Sequence, residues 1–152
     1  MTKKKLETLN VSFQIVNIEI IEICFHDREE HSKTFATAPL SQIDFLYEIS
    51  LNLDADIQKN LFLVTPTISI MNPERTITFA YVKTKCFFSV NNLSTFVKNN
   101  SLQIPDSLRD RMSSISISTS RGIMFCELKG SYLNNAILPI IDVANFDYKP
   151  IV

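Results

Sequence analysis

Nucleophilic chemistry in this chain would have to start from Cys24, Cys86 or Cys126, with His26 or His31 as the base. A thiolate nucleophile needs an imidazole or another cation beside it to lower its pKa. The histidines lie beside the charged stretch Asp27-Arg28-Glu29-Glu30 and read as loop residues. The cysteines sit among apolar neighbours: Ile23-Cys24-Phe25, Cys86-Phe87-Phe88 and Phe125-Cys126. Widely spaced, odd in number and without a CxxC pair, they read as reduced thiols serving as small hydrophobes. Two histidines flanked by mixed charges do not make a metal site, so no metal is expected. The only glycines are Gly122 and Gly130, which excludes a Gly-rich phosphate loop. No GxSxG or Ser-His-Asp pattern is present. The carboxylate pairs Glu19/Glu22 and Glu29/Glu30 read as solvated faces. The chain is therefore not expected to be an enzyme or to carry a cofactor.

The elements that position these residues are mostly strands. Val11 to Phe25 alternates at Val11, Phe13 and Ile15, then slips in phase at Ile18, Ile20 and Ile21, which suggests a bulge or a bent strand. A charged connection and a Pro39-marked crossover, Thr34–Gln42, follow. Ile43 to Leu53 places Ile43, Phe45, Tyr47, Ile49, Leu51 and Leu53 on one face, a half-buried strand with Leu46 as the exception. Leu61 to Met71 alternates too, but Pro66 cannot donate to a ladder and argues for an edge or bulged strand. After the turn Asn72-Pro73-Glu74-Arg75, Thr76 to Val90 returns as a fourth strand.

The last third changes period. Pro105 can open a helix, and Asp106 and Asp110 suit its positive end. Leu108, Met112, Ile115, Ile123 and Cys126 form one helical stripe; Ile117, Met124 and Leu128 form a second. Ser114-Ile115-Ser116-Ile117-Ser118 also alternates with period two and, taken alone, is as good a strand. The longer window favours a helix over Pro105–Leu128. Gly122 inside it is explained by close packing against another backbone, and Gly130 stands where a C-cap belongs. Ala136–Ile141 is apolar with Pro139, and Asp142 can cap a last short helix through Phe146. Four largely antiparallel strands, then a long helix and a short C-terminal one, make an α+β fold. The chain of 152 residues reads as one domain, with 1–10 and 147–152 as flexible tails.

Composition narrows the function. The net charge is −1, and Lys3-Lys4-Lys5 is the only basic run, so no nucleic-acid partner is expected. Glu19 and Glu22 interrupt the most apolar run, which excludes a membrane span there. Without a visible export signal, a cytoplasmic location is expected. The apolar fraction is 45%, against 20% charged, with 11 Phe and no Trp. That is more apolar surface than a monomer needs, and it points to an oligomer interface or an apolar binding surface.

The order of these segments resembles the SecB-like chaperones. An N-terminal strand leads through a Pro-containing crossover to three strands, then Phe88-Ser89-Val90 runs into a loop. A long helix carrying Arg121-Gly122 follows, and then Ile137-Leu138-Pro139-Ile140-Ile141 to Phe146. The resemblance spans about Val11 to Phe146. It implies a non-catalytic holdase that binds unfolded polypeptide clients in an apolar groove, pairs through its sheet into dimers and stacks dimers into tetramers through the long helix. At comparable positions stand Thr34–Leu40, alternate residues of Ile43–Leu53, and Ala136–Phe146. Phe35, Phe45, Tyr47, Leu138 and Ile140 are the candidates for the groove. On the helix, Ile117, Ser120, Met124 and Leu128 are the candidates for the oligomer interface. Export SecB proteins are strongly acidic, and this near-neutral chain departs from them, which puts hand-over to a translocase motor in doubt. Two other readings stay open: an oligomeric interaction subunit with one folded partner, and a small apolar-ligand binding protein of the same fold.

Overall fold

A computed structural model describes residues 11–26, 44–148 and 151. Four strands form one antiparallel sheet: β1 (Phe13–Phe25), β2 (Leu46–Asp56), β3 (Leu61–Met71) and β4 (Thr78–Val90), in spatial order β1-β4-β3-β2. The hairpin β5 (Val97–Lys98) and β6 (Ser101–Leu102) follows, then the helix α1 (Asp106–Glu127) and a 3₁₀ turn, Val143–Asn145. Ile43 of the second expected strand, and residues 1–10 of the expected N-terminal tail, lie outside the described residues.

The period-two patterning translates directly into two faces. On β3, Phe62, Val64, Pro66, Ile68 and Ile70 are buried beneath the helix. On β4, Ala80, Val82, Thr84, Cys86, Phe88 and Val90 do the same. The phase slip in β1 is two slips, between Ile15 and Asn17 and between Ile20 and Glu22. Each inserts one unpaired residue and restores the following residues to the helix side.

Pro66 is not on an edge strand. β3 is interior, paired with β2 through Pro66 itself, and the ladder to β4 lapses between Val64 and Thr67 instead. A proline has no N–H to give, so a gap in the ladder accommodates it.

Ser114–Ser118 is helical. The helix buries Leu108, Met112, Ser113, Ser116, Ile117, Ser120 and Met124 against the sheet. Two of its serines hide their polarity within the helix: Ser116 Oγ donates to the Met112 carbonyl at 2.8 Å and Ser120 Oγ to the Ser116 carbonyl at 2.9 Å, whereas Ser113 Oγ is buried without a partner. About two-thirds of the way along the helix, Ser120 Oγ and Thr84 Oγ1 share a buried hydrogen bond of 2.6 Å.

This seating turns the whole second stripe inward, together with only the start of the first, Leu108 and Met112. Ile117, Ser120, Met124 and Leu128, expected at an oligomer interface, are all buried against the chain's own sheet. Ile115 and Cys126 of the other stripe are exposed. The two stripes are equally apolar, and the small serines beside Ile117 decide the matter by letting that side approach the sheet closely.

Two apolar clusters result. One gathers Ile68, Ile70, Phe79, Val82, Ile117, Met124, Leu128, Leu133 and Leu138; the other gathers Phe62, Val64, Cys86, Phe88, Leu93, Leu108 and Met112. Beyond the helix, Gly130 takes φ 81°, a left-handed turn that suits glycine and redirects the chain toward Leu133.

Candidate polypeptide-binding surface

β2 is an edge strand: among the described residues its backbone pairs only with β3. Its helix-side row is Tyr47, Ile49, Leu51 and Leu53, each half-buried, and Glu48, Ser50, Asn52 and Asp54 point the other way, exposed. Phe45 precedes the strand and meets Phe79 edge to face, with ring centroids 6.0 Å apart. Burial raises the Tyr47 phenol above its ordinary pKa, as expected for a ring set against an apolar wall.

The segment after the helix runs beside this row. Arg121 anchors it by donating from Nη2 to the Pro139 carbonyl at 3.1 Å. Asp142 caps the 3₁₀ turn, accepting from Ala144 N–H at 3.0 Å. Tyr132 Oη donates to the His26 carbonyl at 2.6 Å, tying the segment to the end of β1.

The five groove candidates separate. Phe45 and Tyr47 pack at the rim of the cluster that contains Leu138. Leu138 is 2% exposed and belongs to that core rather than to a groove wall. Ile140, two residues on, is 91% exposed. Alternation holds from Ala136 to Leu138 and breaks after Pro139, so Ile140 turns outward instead of following Leu138 into the core. Phe35 lies outside the described residues.

Other exposed apolar residues had escaped the sequence reading. On β1, Val16, Ile18, Ile20, Ile21 and Phe25 are between 44% and 52% exposed. Ile18 and Ile20 stand opposite Cys86 and Thr84, on the helix side, but α1 lies over β3 and β4 and leaves them bare. On α1, Ile115 and Phe125 face outward. Between them Gly122 has no atom within 4 Å of the position a Cβ would take, so no close packing within the chain explains it.

Among the described residues no group of three His, Cys, Asp or Glu could hold a metal. No described helix is long and apolar enough to cross a membrane.

Neither a protein-family model nor a curated protein matches the sequence. Structure comparison does find a relative in shape: the Mycobacterium tuberculosis Rv1957 SecB-like chaperone, solved in complex with a ChAD peptide from the Rv1956 HigA1 antitoxin. The likeness covers 85% of this chain and 87% of that one, with a TM-score of 0.50 and 13% sequence identity. The fold is SecB-like.

Within this SecB-like fold the outer sheet face is electrically mixed. Glu19 stands opposite Lys85 and Glu22 opposite Lys83. Tyr81 donates its hydroxyl to Glu22, and Lys85 lies over the Phe87 ring. The lysines of β4 thus occupy the middle of the face, with acidic side chains on both flanks.

Proposed function

We propose that this chain is a chaperone of the holdase kind. It binds unfolded polypeptide without catalysis, along the helix-side row and open edge of β2. The observation that carries the reading is that β2, within a SecB-like fold, offers both means of sequence-tolerant recognition at once. Its backbone edge, unpaired among the described residues, can hydrogen-bond any extended segment, and its apolar row can receive alternate side chains. Each backbone hydrogen bond is worth only about 0.5–1.5 kcal/mol net, so affinity is modest and accumulates along the client. Phe45, Tyr47 and Ile140 are the proposed client contacts on the described chain, and Phe35 of the crossover is proposed as a fourth.

The protein works in the cytoplasm as a homo-oligomer, a dimer or tetramer. The bare rows on β1 and on the outer side of α1 are the surfaces a second copy would cover, with Gly122 admitting the close approach. The lysines on the outer sheet face weaken docking to a basic translocase motor and favour a dedicated client.

The test is to dilute an unrelated denatured protein into buffer with and without the chain. Suppressed aggregation at near-equimolar ratio is expected, and Tyr47→Ser with Ile140→Ser together should weaken it more than about tenfold. A folded, oligomeric chain that suppresses nothing would be an interaction subunit instead.

A further inference from the structure

The C-terminal residues, expected to be a flexible tail, include two that are held in place. The Ile151 carbonyl accepts from Leu102 N–H at 3.1 Å and from Ser101 Oγ at 3.2 Å, adding a bridge to the free side of β6. The Tyr148 ring lies 4.0 Å from the Arg109 guanidinium carbon, and Tyr148 Oη donates to the Val143 carbonyl at 3.1 Å. Arg109 is fixed by Asp106 at 2.8 Å and Asp110 at 3.0 Å, so the stacking platform is rigid.

Beneath these contacts is a cavity of about 260 Å³ lined by Leu53, Phe62, Leu102, Ile104, Arg109 and Tyr148. It falls below the usual ligand-pocket range of about 300–1,000 Å³, a size for one or two side chains rather than a free ligand. Leu53 ends the apolar row of β2, and Asp147 borders Leu51 and Leu53. The corner therefore continues the candidate client surface.

All the elements that seat an extended chain meet here: a strand edge giving an N–H, a cation for an aromatic ring and an apolar hollow between them. We propose that this corner is an extended-polypeptide site which the chain's own C-terminal segment holds, so that the segment competes there with a client. The client half of this proposal rests on the polypeptide-binding reading above; the self-occupancy half does not.

The probe is a fluorescent peptide with the sequence of residues 146–152. It is titrated into the full chain and into a chain ending at Asp147. A second variant, full-length Tyr148→Ser with Ile151→Asp, frees the corner without shortening the chain and decides the matter if the truncation does not fold. A tethered segment competes at an effective concentration near the millimolar range, so the full chain should bind the peptide at least roughly tenfold more weakly than either variant. Equal binding to all three chains, or binding to none, overturns the proposal. A permanently unfolded, carboxymethylated protein is titrated in parallel and should bind both variants more tightly than the full chain. If the peptide distinguishes the chains but no chain binds the unfolded protein, self-occupancy stands and the holdase reading falls. If the unfolded protein binds all chains equally and the peptide binds none, the reverse holds.

Discussion

Leu138 and Ile140 look interchangeable in sequence, and their substitutions should have opposite effects. Leu138 is 2% exposed in the cluster with Phe79, Met124 and Leu133, so Leu138→Ala removes fully buried methyl groups and leaves a cavity. Such changes cost about 2–5 kcal/mol. In a chain of this size each kcal/mol moves the thermal midpoint by about 2–4 °C, so a loss near ~3 kcal/mol lowers it by roughly 6–12 °C. Ile140 is 91% exposed, and Ile140→Ser should change stability by less than about 0.5 kcal/mol, roughly 2 °C or less. Its effect belongs to client binding. An isoleucine buried only on binding contributes up to about 1.5–3 kcal/mol, which makes a loss of about tenfold in client affinity the natural expectation. Thermal unfolding followed by circular dichroism, with aggregation suppression on the same samples, reads both quantities. A Leu138→Ala midpoint unchanged beside an Ile140→Ser midpoint lowered by several degrees would refute the inward–outward assignment. The anchoring of this segment by Arg121 would then be wrong as well.

Ile117→Glu should unfold the chain, because Ile117 is buried against the sheet, whereas Phe125→Glu should lower the solution mass and keep the melt; sedimentation and melting curves compare the two. The Tyr81 phenol, held by its hydrogen bond to Glu22, has its pKa pushed up from 10.0 to about 12. Because the raised folded pKa favours the protonated form, this contact's stabilisation is complete below pH 10 and is lost as pH rises toward 12. Phenolate absorbance should accordingly show a late-titrating tyrosine that disappears in Tyr81→Phe and titrates earlier in Glu22→Gln. Thiol labelling should modify exposed Cys126 first and Cys86 last, since burial raises the Cys86 thiol; early loss of Cys86 would mean an open core.

The sheet was legible because its strands alternate strictly: where one face is buried, a single-residue slip exposes every apolar side chain, so register is written into the pattern. β3 and β4 follow that rule over most of their length, with Leu63 and Phe79 buried out of phase. β1 was half legible, since a phase slip announces a bulge but a second slip a few residues later cancels its signature. The helix was legible as an element, but not the direction it faces. Ile117 and Ile115 are equally apolar, and the choice between them rests on the small size of the neighbouring serines, two of which, Ser116 and Ser120, bond to helix carbonyls; hydrophobicity alone does not register this. Leu138 and Ile140 could not be separated for a related reason: the irregular backbone around Pro139 has no period, and an arginine eighteen residues upstream holds its carbonyl. The held C-terminus left no signal either, because its bridge to Leu102 is made by backbone atoms that every sequence possesses.

The hydroxyl pair Thr84–Ser120, with Ser113 and Ser116 close by, lies where the helix crosses the middle of the sheet, between the two apolar clusters. Apolar contact along the helix thins there, and the halves on either side are joined by Leu51, which packs against both clusters, and by hydrogen bonds of modest net strength. Cooperativity between those halves is correspondingly weak. Amide exchange should then resolve two opening units with separate free energies, one around Phe79, Leu133 and Leu138 and one around Phe62, Phe88 and Leu108. The first of these underlies Phe45 and Tyr47, so the surface proposed to take up a client can loosen and re-form while the other end of the sheet stays closed.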